Sequence, residues 1–193
     1  MISLEKKGLS DQQKKGCFGC FGILAVIIIA VAVITTIAIP SNDVKADKTF
    51  DFTAKEFETR VTQAVKKTNS SFLDIYESKD IKNGRQIQIS DYMLLSAKES
   101  EDENNVSLVK LAAHSDSLIW QQKELQNAFY LVLSTVDESL SVSQKYAVLE
   151  ELGLSKISND LQDHEGQYTI NEVQYYYKGD IEAGAMYLQA TPK

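Results

Sequence analysis

Cysteine and histidine are the residue types of this 193-residue chain best suited to holding a metal or moving electrons, and their spacing limits what they do. Cys17 and Cys20 form a C-x-x-C pair, a spacing that suits redox chemistry or half of a zinc site. A structural zinc needs four ligands, and no other Cys or His lies nearby. Three residues apart at the mouth of an apolar run, among Gly16, Gly19 and Gly22, the two thiols share a helix face. They read as small residues at a membrane boundary and as candidate lipidation sites. His114 and His164 stand alone, the first beside Asp116 and the second between Asp163 and Glu165. With no H-E-x-x-H and no Cys/His cluster, both read as solvent-exposed loop histidines, and no metal or other cofactor is expected.

Other catalytic patterns are missing as well. Serine is common, but no G-x-S-x-G marks one hydroxyl as a nucleophile. Beyond the apolar run glycine occurs only at Gly84, Gly153, Gly166, Gly179 and Gly184, which make neither a P-loop nor a G-x-G-x-x-G fingerprint. The plentiful carboxylates read as a solvated surface. Recognition has a better candidate in Tyr175, Tyr176 and Tyr177, with Tyr187 opposite them, because tyrosine joins a large contact area to a hydroxyl. Along an alternating strand Tyr175 and Tyr177 face one side and Tyr176 the other, so one set is available for packing and the other for a partner. Trp120 and Tyr130 read as core.

The elements that position these residues follow from periodicity and caps. Thr53 with Glu56 makes a capping box, Phe52 can staple onto Phe57, and Phe57, Val61, Ala64 and Val65 recur on one face, predicting a helix over 54–68. Asn69 and the two serines after it end that helix. A strand is expected at 73–77, then strands through Ile87 and Ile89, Tyr92–Ala97 and Val106–Ala113, with Lys98–Asn105 as an exposed acidic loop. Leu118, Leu125, Phe129, Val132 and Val136 predict a second helix of about five turns from Ser117. Ser141 with Gln144 caps a third helix, striped by Tyr146, Leu149 and Leu152 and ended by Gly153. Loop residues then lead to a final hairpin that turns at Lys178-Gly179-Asp180 and returns over Ile181–Ala190. The fold class is therefore α+β: helix, strands, two helices and a strand hairpin, with about three helices packed on an antiparallel sheet.

Ahead of that domain, Cys17–Ile39 is an uncharged run long enough to cross a hydrocarbon core of roughly 30 Å as a helix. Lys6, Lys7, Lys14 and Lys15 precede it, so the N-terminus belongs in the cytoplasm. The division is a basic cytoplasmic segment 1–16, a transmembrane helix 17–39, a tether 40–49 and an extracytoplasmic domain 50–193. A cleaved signal peptide is the rival, but its apolar part spans only about 7–15 residues. With both cysteines in the run, no disulfide framework holds the outer domain. The chain carries a net charge of −7, and residues 1–16 hold four of its lysines against Glu5 and Asp11, so the remainder is more acidic still. Such a surface repels phosphate backbones, which argues against nucleic acid as a partner. The expected function is a signal-anchored, single-pass protein displaying a non-catalytic binding module to an envelope component or a protein. An envelope enzyme with an unrecognised site and an accessory subunit of a membrane complex are the alternatives. Composition fixes no oligomeric state.

Overall fold

A computed structural model of the chain describes residues 48–68 and 73–193. The expected cytoplasmic segment, the apolar span with Cys17 and Cys20, most of the tether and the stop after Thr68 lie outside those residues. Among the described residues no helix is long and apolar enough to cross a membrane.

Local chemistry starts the domain as the sequence predicts. The Thr53 N–H donates to Glu56 Oε2 at 2.8 Å while the Glu56 N–H donates to Thr53 Oγ1 at 3.2 Å, so two otherwise orphaned donors are satisfied at the start of α1 (Ala54–Thr68). Phe52 stacks on Phe57 with ring centroids 6.3 Å apart, and Phe57, Val61 and Val65 are buried one turn after another.

Seven strands follow around the remaining helices: β1 (Glu77–Ile81), β2 (Gly84–Ser90), β3 (Met93–Glu99), β4 (Val106–His114), β5 (Glu165–Ile170), β6 (Val173–Asp180) and β7 (Ala185–Pro192). All neighbours are antiparallel, in the order β1-β2-β3-β4-β7-β6-β5. Two meanders thus meet through their last strands, β4 against β7. Between them run a single turn α2 (Ser117–Trp120), α3 (Gln122–Val136), α4 (Val142–Glu151) and a 3₁₀ turn at Asn159–Asp163. One core joins Phe57, Val61, Leu125, Phe129 and Val132 from the helices to Leu95, Leu111, Leu188 and Tyr177 from the sheet. The helices and the 3₁₀ turn contribute to this one side, and the α+β arrangement follows.

Several expectations shift. The five-turn helix breaks at Gln121 (φ −139°, ψ 43°), which separates α2 from α3. In α4 the capping box is present, but the buried stripe is Val148, Leu149 and Leu152, and Tyr146 faces water. Gly153 takes the left-handed φ of +72° that ends the helix. The first strand begins at Glu77, although the Asp74 and Tyr76 N–H groups already donate to β2 carbonyls. The stretch expected as loop before the last hairpin contains β5, reached by a two-residue turn at Asn171-Glu172 with φ of 49° and 62°, the primed type that matches strand twist. Gly179 is not a turn glycine: β6 continues through it, and a Cβ there would sit 2.1 Å from the Leu161 carbonyl oxygen. Its missing side chain lets the 3₁₀ turn lie directly on the strand.

Candidate functional site

Strand alternation splits the tyrosine cluster between the two faces of the sheet. Tyr175 and Tyr177 point into the core and are fully buried. The Tyr177 hydroxyl donates to the Leu161 carbonyl at 2.7 Å, and its ring meets Phe129 edge-on at 6.0 Å. Tyr175 is packed as tightly, but its hydroxyl finds no partner. Burial pushes both phenols well up, Tyr175 further under the charge of Asp137. Tyr176 and Tyr187 lie on the opposite face, which receives no core residue from the described helices.

Register shows what surrounds them. Gln86 pairs with Ser96, Ser96 with Lys110, Lys110 with Gln189, Gln189 with Tyr176 and Tyr176 with Gln167, one continuous row of polar side chains across six strands. Lys110 is only 5% exposed, and Gln86, Gln189 and Tyr187 are buried too. Its ammonium lies 4.2 Å from the centroid of the Tyr187 ring, a cation–π contact. Among the described residues no carboxylate reaches it within ion-pair distance. Burial lowers its pKa from 10.5 to about 8, which leaves it mostly charged at neutral pH. The Tyr187 hydroxyl and Gln86 Oε1 are also shut off from water without a hydrogen bond. Burial, then the charge of Asp180, raises Tyr187 to about 12. Tyr176 donates to Glu165 Oε1 at 2.9 Å and rises to about 12 through burial and that carboxylate.

The centre of this face is short of acid. By alternation β2, β3, β4 and β7 present Gln86, Gln88, Leu94, Ser96, Lys98, Leu108, Lys110, Ala112, His114, Tyr187, Gln189 and Thr191 to it, with no Asp or Glu among them. The outer strands bring Glu77, Asp180 and Glu165 to the same face, so its charge is mixed. Sequence reading missed Lys110, Gln86 and Gln189. The available signal was a lysine at the centre of the apolar run Val106–Ala113, where a strand buried on both faces would exclude it.

The remaining candidates are simpler. His114 Nδ1 lies 3.2 Å from the Asp116 N–H and 3.3 Å from its carboxylate. His164 packs against Gly153 and lies 2.7 Å from the Leu152 carbonyl through Nε2. Both are half-buried, unlike the exposed loop residues expected, because each closes a chain turn by hydrogen bonding. No group of three or more metal-ligating side chains forms among the described residues. Of the carboxylates with shifted ionisation, Glu56 is held down by the Thr53 N–H. Burial works to raise Asp137, but hydrogen bonds from Ser139 and Asn171 outweigh it and keep it below the usual range. Neither is poised as a general acid. An open groove of about 400 Å³ between α1, α3 and α4 is lined by Arg60, Lys67, Tyr130, Glu138 and Lys145. Its Arg60 is already engaged by Glu138, Asp51 and the Thr135 carbonyl. Trp120, expected in the core, is 72% exposed beside exposed Ile119, because the break at Gln121 stops α2 before a second turn can bury it. Compared with known protein families, curated proteins and solved structures, the chain matches none of them.

Proposed function

We propose that this chain is a single-pass, membrane-anchored protein presenting a non-catalytic binding module outside the cytoplasmic membrane, and that the sheet face opposite the described helices engages an envelope component or a protein partner. The anchor half of the reading rests on the apolar run 17–39 with its flanking lysines. The binding half rests on one observation: on that face the Tyr187 hydroxyl and Gln86 Oε1 have no hydrogen-bond partner, and Lys110, stacked on the Tyr187 ring, has no counter-ion among the described residues. Buried polar groups left unmatched cost stability, so their retention favours a ligand that satisfies them.

Two measurements in intact cells test the halves separately. In a background with both native cysteines changed to serine, Val142→Cys, at an exposed position, should react with a membrane-impermeant thiol reagent from outside and pellet with the membranes after alkaline extraction. Failure to label, or release into the supernatant, removes the anchor. A photoreactive residue replacing Gln174, on the face opposite the described helices, should give adducts that the same residue at Glu150 on α4 does not. Equal or absent adducts at Gln174 would count against the binding surface.

A further inference from the structure

We propose that two copies of this chain pair through the edge strand β5, antiparallel about a two-fold axis at Gln167, so that one sheet runs through both. β5 closes the sheet on one side, and its backbone pattern decides what it offers outward. The Gly179 N–H donates to the His164 carbonyl at 2.8 Å, so His164 turns its backbone groups to β6, and alternation sends those of Gly166, Tyr168 and Ile170 the same way. Glu165, Gln167 and Thr169, all exposed, therefore each aim an N–H and a C=O away from the domain. Among the described residues no hydrogen bond reaches these outward groups. The opposite edge is guarded and this one is not. β1 carries Glu77, Lys79 and Asp80 along five residues, the charge pattern that keeps sheet edges apart. β5 has a single charged residue, Glu165, and neither lysine, proline nor bulge.

A second copy is the occupant because the strand is complementary to itself. With Gln167 on the axis, Glu165 falls opposite Thr169 of the second copy, and every outward N–H meets an outward C=O. The threonine hydroxyl can donate to the facing carboxylate, and Gln167 meets Gln167 amide to amide. Tyr168 falls opposite Gly166, so its ring meets no opposing side chain. Like charges stay apart, since the two Glu165 carboxylates are out of step by about 14 Å along the strands. Of the neighbouring charges, Lys178 lies beside Glu165 on β6, while Asp163 and Glu172 flank the strand and fall nearest Asn171 and Gln162 of the second copy, not another acid. A shift of two residues either way leaves the outward groups of Glu165 or Thr169 unpaired. The axis also sets the last member of the cross-strand polar row, Gln167, against its own copy, so the row continues from one sheet into the next. A contact one strand wide falls short of the roughly 1,200 Å² of a standard interface, and the association is therefore weak and reversible.

Disulfide trapping of full-length protein in detergent, with Cys17 and Cys20 changed to serine, tests the pairing. In a narrow antiparallel pair the Cα atoms lie about 5.5 Å apart, within reach of a disulfide. Oxidised by copper phenanthroline in air, Gln167→Cys should give at least about fivefold more covalent dimer than Lys79→Cys, an exposed position on the other edge. Adding Thr169→Pro, which deletes an N–H directed away from β6, should return the yield to that of Lys79→Cys. Adding Thr169→Glu instead, set against Glu165 of the second copy, should lower it severalfold. Far-ultraviolet circular dichroism identifies variants that fail to fold, and Thr169→Glu remains informative if Thr169→Pro is one of them. Equal trapping at Gln167 and Lys79, or undiminished trapping with the Thr169 variants, overturns the pairing. If Gln167→Cys in cells traps a different protein and no second copy, the pairing is likewise overturned and the edge belongs to that protein. None of these readouts uses Gln174 or the membrane, so the binding face and the anchor can fail while the dimer stands, and the reverse.

Discussion

The two faces of the sheet come from the same seven strands, residue by alternating residue, yet they bury their side chains on different terms. On the helix-covered face Tyr177 is buried, its hydroxyl donates to the Leu161 carbonyl and its ring meets Phe129. On the other face Lys110, Tyr187 and Gln86 are buried too, but the Tyr187 hydroxyl and Gln86 Oε1 lack a hydrogen-bond partner and the Lys110 ammonium rests on the Tyr187 ring. Exposure alone would class both as core. Satisfaction alone does not separate them, since the Tyr175 hydroxyl on the helix-covered face is orphaned as well; the difference is that the other face gathers its polar groups, a lysine among them, into one cross-strand row. The first face serves stability, and the second is the surface proposed to meet a partner.

Substitutions that set the faces against each other give opposite signs. The largest effect should come from Tyr177→Ala, which empties a packed site and removes the bond to the 3₁₀ turn. A loss of about 3–5 kcal/mol is expected by urea denaturation. A loss below about 1 kcal/mol would mean that the helix-covered face is not the core described. Lys110→Met should act the other way, stabilising the domain by up to about 3 kcal/mol at pH 7, because the folded state then no longer holds a desolvated ammonium.

The same lysine gives a pH dependence. Its folded pKa of about 8 lies below its ordinary 10.5, so between those values the unfolded chain binds a proton that the folded chain has released. The lysine's penalty is therefore full below pH 8 and fades as pH rises toward 10. Stability from urea midpoints should climb over that window in the native protein and stay flatter in Lys110→Met. Titration of the tyrosines reverses the trend above that range, since Tyr187 holds its proton to about 12 in the folded state while an unfolded tyrosine gives it up near 10.

Smaller effects are expected away from both faces. Ser141→Ala removes the cap of α4 and should cost about 1 kcal/mol in thermal or urea unfolding. Smallest of all, Trp120→Ala should change stability by less than about 0.5 kcal/mol, although it deletes the single tryptophan. The fluorescence of native Trp120 should be that of a water-exposed indole and readily quenched by acrylamide. A blue-shifted, protected emission would place it under a cover.

Legibility tracked the range of the interactions involved. Both capping boxes, the Phe52–Phe57 staple and the end of α4 at Gly153 depend on residues a few positions apart, and all three were readable. β5 was not, because Glu165–Ile170 buries only one side, partly, and its turn uses Asn171-Glu172, a pair without the usual glycine. Gly179 misled for a related reason: glycine marks a turn and a close backbone approach with the same letter, and only the position of Leu161 distinguishes them. Trp120 was read from its size as core, yet the backbone at Gln121 decided its exposure.

By itself the sequence determined the class of the domain, most of its helix starts, an acidic composition without disulfides in the domain, and an uncharged apolar run at 17–39, since these follow from local periodicity, capping and composition. Tertiary structure alone decided that β4 pairs with β7 and that Gln86, Ser96, Lys110 and Gln189 fall into one row. It also decided which tyrosines serve packing and which face outward. Cross-strand neighbours come from distant parts of the chain, and register, which no short window encodes, sets them side by side.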